Sequence, residues 1–173
     1  MKDYDNFTIK FAQLILKARD MRGKILDEVV FIEFILDLII LKYFCESTSK
    51  IELFQATLLN QEYISFESKI KTFKNLNLGE KYVNAVKELG TDLNKVRVKR
   101  NELAHRMIDN STEAVNSGQL RFVYYEGGKR KYQVIEHDSL KKDLNWLEDI
   151  KAGLLVLLMN GDFFRSSEID IKV

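Results

Sequence analysis

A chain of 173 residues is long enough for one domain with its own core, and a single domain over 1–173 is the expectation. Hydrophobic residues at 46% and charged residues at 31% exclude a disordered chain, and a formal net charge of +1 excludes a polyelectrolyte surface. An anionic partner must therefore be held by a local cluster, because the overall field is close to neutral.

The one cysteine, Cys45, cannot form an internal disulfide, and it reads as a core thiol at a helix end. No C-x-x-C or Cys/His metal spacing occurs, and no cofactor is expected. The opening "MKDYDNFTIK" lacks the basic-then-apolar layout of a signal peptide. The most apolar run, "VVFIEFILDLIILKYF", is broken by Glu33 and Asp37 and is short for a membrane span. A cytoplasmic, reducing compartment with no membrane partner is the expectation.

In chain order, Phe7, Phe11, Leu14, Ile15 and Ala18 recur at helical spacing and predict a first amphipathic helix. The longest helix is predicted from Arg22 to Phe44. It is apolar almost all round between Val29 and Leu41, as suits the centre of a bundle. "SKIELFQATLL" reads as a shorter helix. Ser65 can cap the next, whose Phe66, Ile70 and Phe73 form one stripe. "EKYVNAVKELG" follows, with Gly90 expected to close it and "TD" to cap a fresh helix.

After "DNSTEAVNSG" the period changes. "LRFVYYE" and "KRKYQVIE" alternate on either side of Gly127-Gly128, which predicts a hairpin over about 119–136. Asp138 can cap a last helix over about 138–160, with Leu140, Leu144, Leu147, Leu154 and Leu158 facing the core and Gly161 ending it. The fold class expected is mainly α: a bundle whose core helices lie within about 3–108, with one β-hairpin inserted before the C-terminal helix.

The stretch "KVRVKRNELAHRMID" carries the chemistry. Leu93, Val96, Arg100, Leu103 and Met107 follow the spacing of a buried stripe, yet the middle member is a guanidinium. Removed from water without a partner it would cost several kcal/mol, and Glu33 and Asp37, one turn apart in the apolar helix, are its candidate structural partners. Asn101 and His105 are four apart and share a face, with Arg97 one turn earlier. Arg100 and His105 diverge by roughly 140° around the helix. Two copies meeting across a two-fold axis could bring both pairs around one groove, so a homodimer is expected. Taken alone, His105 also suits a simple role as a helix C-terminal residue interacting with the dipole.

"R-N-E-L-A-H", Arg100 to His105, resembles the R-x(4–6)-H signature of HEPN domains, with the polar residue that often follows the arginine. The order of an apolar helix with an embedded acid, then "ISFESKIKTFKNL", then the motif helix is similar to the mannitol operon repressor-like branch of HEPN-type proteins. The resemblance spans roughly residues 20–110, and the hairpin lies outside the minimal HEPN four-helix core.

This resemblance implies a HEPN-like helical bundle that dimerises and, in many members, cuts RNA without a metal as a toxin or defence effector. Arg100, Asn101 and His105 would be its catalytic residues, and a cognate antitoxin or regulatory protein its partner. The alternative implied by the same family is a non-catalytic regulatory or protein-interaction module.

The chemistry is self-consistent. Histidine as a residue type titrates near neutrality and suits exchange of a 2′-hydroxyl proton, while arginine presents a forked donor to phosphate. Lys95, Arg97, Lys99 and Arg106 are the candidate RNA-backbone contacts, or else a solvated helix face. Other sites are weaker. "GGKRK" lies in a turn without P-loop spacing, His137 reads as a surface residue, and Ser65 and Ser68 have no glycine elbow or histidine to support a nucleophile. No helix-turn-helix with an obvious reading helix is present.

Overall fold

The computed structural model describes residues 2–45, 48–57, 59 and 64–161. The protein is mainly helical, with six α-helices and a small three-stranded antiparallel sheet among the described residues. The helices are α1 (Lys2–Phe44), α2 (Thr48–Thr57), α3 (Phe66–Lys74), α4 (Val83–His105), α5 (Thr112–Ser117) and α6 (His137–Asn160). The strands are β1 (Met107–Ile108), β2 (Arg121–Glu126) and β3 (Lys129–Val134), in that spatial order. No helix among the described residues is long and apolar enough to cross a membrane.

The chain divides into two compact units, one drawn from residues 1–28 and 98–146, the other from 29–97 and 147–173. The helices α1, α4 and α6 each contribute to both.

In the first unit, Leu14, Ala18, Met21 and Ile25 of α1 are buried, as are Ala114, Val115, Leu120, Phe122 and Val123. Phe7 and Phe11 stack at 6.3 Å between ring centroids, but Ile15 is exposed and does not join the apolar stripe. The hairpin forms as its sequence predicts. Gly127 and Gly128 take φ of 58° and 74°, the pair of positive values a two-residue turn of matching twist needs. Two elements were not expected. β1 adds a third strand by pairing Met107 with Val123 and Ile108 with Phe122. α5 is capped by the Ser111 hydroxyl, which accepts from the Ala114 N–H, and stopped by Gly118 in the left-handed region.

In the second unit, Ser65 caps α3 as expected by accepting from the Ser68 N–H at 3.2 Å, and Phe66, Ile70 and Phe73 are buried. Full burial of a side chain such as Phe73 is worth about 1.5–3 kcal/mol. Val29, Ile32, Ile35, Leu36, Ile39 and Ile40 of α1 are also buried, yet Val30, Phe31 and Phe34 remain exposed, so this stretch is not enclosed on every side.

Three expected boundaries are corrected. The first helix and the Arg22–Phe44 helix are one: α1 runs through Gly23, whose cost of about 1 kcal/mol in a helix interior is outweighed by burial of Met21 and Ile25 on either side. Gly90 closes no helix, because α4 runs through it. Its missing side chain leaves room for Lys74, whose Cγ would lie 2.5 Å from a Cβ at that position. α6 begins at His137, so Asp138 sits in its first turn, where a carboxylate favours the dipole, and is not the cap. The side chain of His137 lies outside the described residues. Leu147 and Leu154 are buried while Leu140, Leu144 and Leu158 are half-buried, and the Gly161 N–H closes the helix on the Leu157 carbonyl at 2.8 Å.

Candidate functional site

The R-N-E-L-A-H segment forms the last turn and a half of α4, with His105 its final residue. Asn101 and His105 are exposed on one face, and Arg100 is half-buried. Leu93, Val96 and Leu103 are buried as their spacing implies. Met107 leaves the stripe, because the chain has by then turned into β1, where its side chain is 60% exposed.

The end of α4 is held from below by Arg22. Its guanidinium donates to the Arg106 carbonyl and lies 4.6 Å from the Phe122 ring centroid. A cation at a helix C-terminus meets the negative end of the dipole and satisfies a carbonyl left without a helical partner. Burial lowers the Arg22 pKa from its ordinary value, and Nε has no hydrogen-bond partner.

Arg106 itself is clamped to the sheet. Its guanidinium lies 4.5 Å from the Tyr124 centroid, donates to the Gln133 amide oxygen, and pairs with Glu102 at 2.9 Å. Position and orientation of the segment after His105 are thus fixed by α1 and the hairpin together.

The candidate backbone-binding cations are all engaged within the chain. Lys95 pairs with Asp92 at 2.7 Å and Arg97 with Glu67 at 3.2 Å, both in the second unit. Lys99 pairs with Asp143, and Arg106 with Glu102, in the first. Lys71 and then Arg97 hold the exposed Glu67 carboxyl below its ordinary value. Exposed pairs of this kind are worth little and exchange readily with another anion. Arg100 has no ion-pair or hydrogen-bond partner among the described residues.

Glu33 and Asp37, the expected partners of Arg100, are met by Lys69 from their own unit. Its Nζ lies 3.0 Å from Glu33 Oε1 and 2.8 Å from Asp37 Oδ2, and the lysine is 1% exposed. The reason is placement. Phe66, Lys69, Ile70 and Phe73 are at i, i+3, i+4 and i+7, so α3 carries Lys69 inwards with its buried stripe. The test that singled out Arg100, a cation among apolar positions, would have found Lys69 too.

A crevice of about 310 Å³ bordered by Val30, Phe34 and Leu59 reaches this triad. Burial pushes the Asp37 carboxyl above its ordinary value against the opposing pull of Lys69, and Asp37 Oδ1 has no partner.

Asp109 was also missed. It is 1% exposed and accepts from the Ser111 N–H at 3.1 Å, from the Ser111 hydroxyl at 3.0 Å and from Arg130 at 3.2 Å. It thus sets the entry to α5 and pins the hairpin. "DNS" after a helix was the available signal, since Asp and Ser both bond locally to the backbone. Replacement by alanine strips several charge-assisted bonds at once. Asp109→Ala should destabilise the protein by about 2–3 kcal/mol, read as a lower midpoint in urea unfolding. An unchanged midpoint would show that these bonds are matched by water.

Among the described residues no three His, Cys, Asp or Glu side chains gather in a way that could hold a metal. The fold and this helix end define a mainly helical protein with an appended three-stranded sheet and an arginine, asparagine and histidine at one helix terminus. Comparison with protein-family models, curated sequences and solved structures finds no match.

Proposed function

We propose that this protein is a HEPN-type, metal-independent RNA endonuclease of the toxin–antitoxin or defence kind, with Arg100, Asn101 and His105 as its catalytic residues. The observation that carries the reading is the end of α4, where Asn101 and His105 are exposed on one face and Arg100 is free of any carboxylate among the described residues. His105 takes the 2′-hydroxyl proton. The 2′-oxygen then attacks phosphorus, the bond to the 5′-oxygen breaks, and that oxygen is protonated as it leaves. Arg100 stabilises charge on the phosphate, and Asn101 orients the phosphate or the imidazole. One helix turns Arg100 and His105 roughly 140° apart, so the cleft needs two chains related by a two-fold axis in a HEPN-like bundle dimer.

The test is incubation with single-stranded RNA in EDTA. Cutting should persist, leave 2′,3′-cyclic phosphate ends, and spare DNA of the same sequence, which lacks the internal nucleophile. Sedimentation at micromolar concentration should show a dimer. Loss of cutting in EDTA, or equal cutting of DNA, would sink the mechanism.

A second reading, a regulatory or antitoxin-binding module of the mannitol operon repressor-like kind, is favoured by one observation. Lys95, Arg97, Lys99 and Arg106 are each paired with a carboxylate, which weakens attraction for phosphate. It predicts binding without turnover.

A further inference from the structure

We propose that the exposed face of the three-stranded sheet is a platform on which unpaired nucleic-acid bases stack, with Tyr125, Arg130 and Tyr132 as its contact residues. As a substrate grip it rests on the ribonuclease reading; as a binding surface it stands apart from it.

Side chains alternate across a strand, so the register sorts the sheet into two faces. Phe122, Tyr124 and Gln133 share one face, which is taken up within the protein: Arg22 lies over Phe122, and Arg106 lies over Tyr124 and bonds Gln133. The other face carries Met107, the buried Val123 and Tyr132 in a row, and beside it Tyr125 directly opposite Arg130, so its open part is the edge formed by Met107, Tyr125, Arg130 and Tyr132. Met107, Tyr125 and Tyr132 are 60%, 64% and 50% exposed. Open aromatic rings on a rigid sheet are costly to leave in water unless something flat covers them.

Arg130 specifies what that is. Its guanidinium lies 5.1 Å from the Tyr132 centroid and is pinned by the buried Asp109 at 3.2 Å. A planar cation stacked on Tyr132, with Tyr125 opposite it on the neighbouring strand, offers π surfaces for bases, which stack on aromatic rings and on guanidinium planes alike. On this face the strands add Arg121, opposite Val134, and no acidic residue, while Lys129, Lys131 and Glu126 belong to the other face. This sign suits a phosphate backbone. A flat face suits single strands, because bases in a duplex are already stacked on one another.

The platform is continuous with the catalytic helix end. β1 opens at Met107, two residues after His105, a reach of at most about 7 Å along the chain. Tyr132 lies two strand spacings further, each about 4.8 Å. Bases beside a phosphate held at His105 would therefore come over the tyrosines.

The test uses a fluorescently labelled oligo(dT) of about ten nucleotides, which can stack but lacks the nucleophile for self-cleavage. Anisotropy should show binding, and the Tyr125→Ala/Tyr132→Ala variant should weaken it by about tenfold or more per ring. Tyr125→Phe/Tyr132→Phe should restore affinity to near wild type, since the ring and not the hydroxyl makes the contact. A duplex RNA of similar length should bind at least about tenfold more weakly than the single strand.

Circular dichroism of each variant establishes that it is folded. Unchanged binding by a folded alanine variant overturns the platform, as does failure of the phenylalanine variant to restore affinity. So does absence of binding by the wild type, or conversion of the alanine variant from dimer to monomer, which would make this face a protein interface. If the wild type cuts RNA and the folded alanine variant binds and cuts equally, the platform is wrong and the nuclease reading stands. If the wild type binds through the tyrosines and cuts no RNA, the nuclease reading fails and the platform stands.

Discussion

Lys69→Met should lower the melting midpoint by on the order of 10 °C. The change keeps the bulk of the side chain and removes the charge that Glu33 and Asp37 share. Two carboxylates would then lie at side-chain exposures of 7% and 14% without a cation. Breaking a buried pair in this way costs about 3–5 kcal/mol, because the partners keep their desolvation penalty and lose their compensation.

The pH dependence has a definite sign. Acid protonates the two carboxyls and removes the buried charge, so the deficit of the methionine variant should shrink as pH falls through the carboxylate range. In the wild type, burial already raises the Asp37 pKa above its ordinary value. A carboxyl raised on folding contributes stability that is full below its unfolded pKa and is lost as pH rises through its folded one. Asp37→Asn should therefore melt no lower than wild type at neutral pH, and the difference between them should vanish in acid. A methionine variant as stable as wild type at neutral pH would mean that the triad does not hold the carboxylates as buried ions.

On the proposed ribonuclease reading, His105→Ala should reduce RNA cleavage by roughly two to four decades while leaving RNA binding largely intact. The residue is exposed and ends a helix, so its removal opens no cavity and costs the fold little. Lys99→Ala should behave in the opposite way. It removes a cation now paired with Asp143, and should weaken binding and its salt dependence more than turnover. Melting curves and single-turnover rates on the same samples separate loss of chemistry from loss of fold. A His105→Ala protein that cuts at the wild-type rate would remove the histidine from the mechanism.

The elements that the sequence made legible are those written in local chemistry. Ser65 offers an oxygen to the N–H three residues on, and two consecutive glycines supply the positive φ that a tight hairpin needs. Phe66, Ile70 and Phe73 declare the buried face of α3 by spacing alone. The candidate site was legible to the same extent, as a row of residue types along one helix. That Asn101 and His105 share an exposed face follows from a repeat of 3.6 residues.

What the sequence left open depends on residues distant along the chain. Gly90 looks like a helix stop, and only the Lys74 side chain lying against it explains a glycine inside α4. β1 is two residues long and carries no strand pattern of its own; it exists because β2 is there to pair with it. Arg100 and Lys69 stood equally out of place on apolar stripes, and composition could not say which would reach Glu33 and Asp37. Periodicity fixes which way a side chain points from its own helix, whereas a partner is chosen by where another helix comes to rest. Lys69 meets the carboxylates because α3 carries it inwards among Phe66, Ile70 and Phe73.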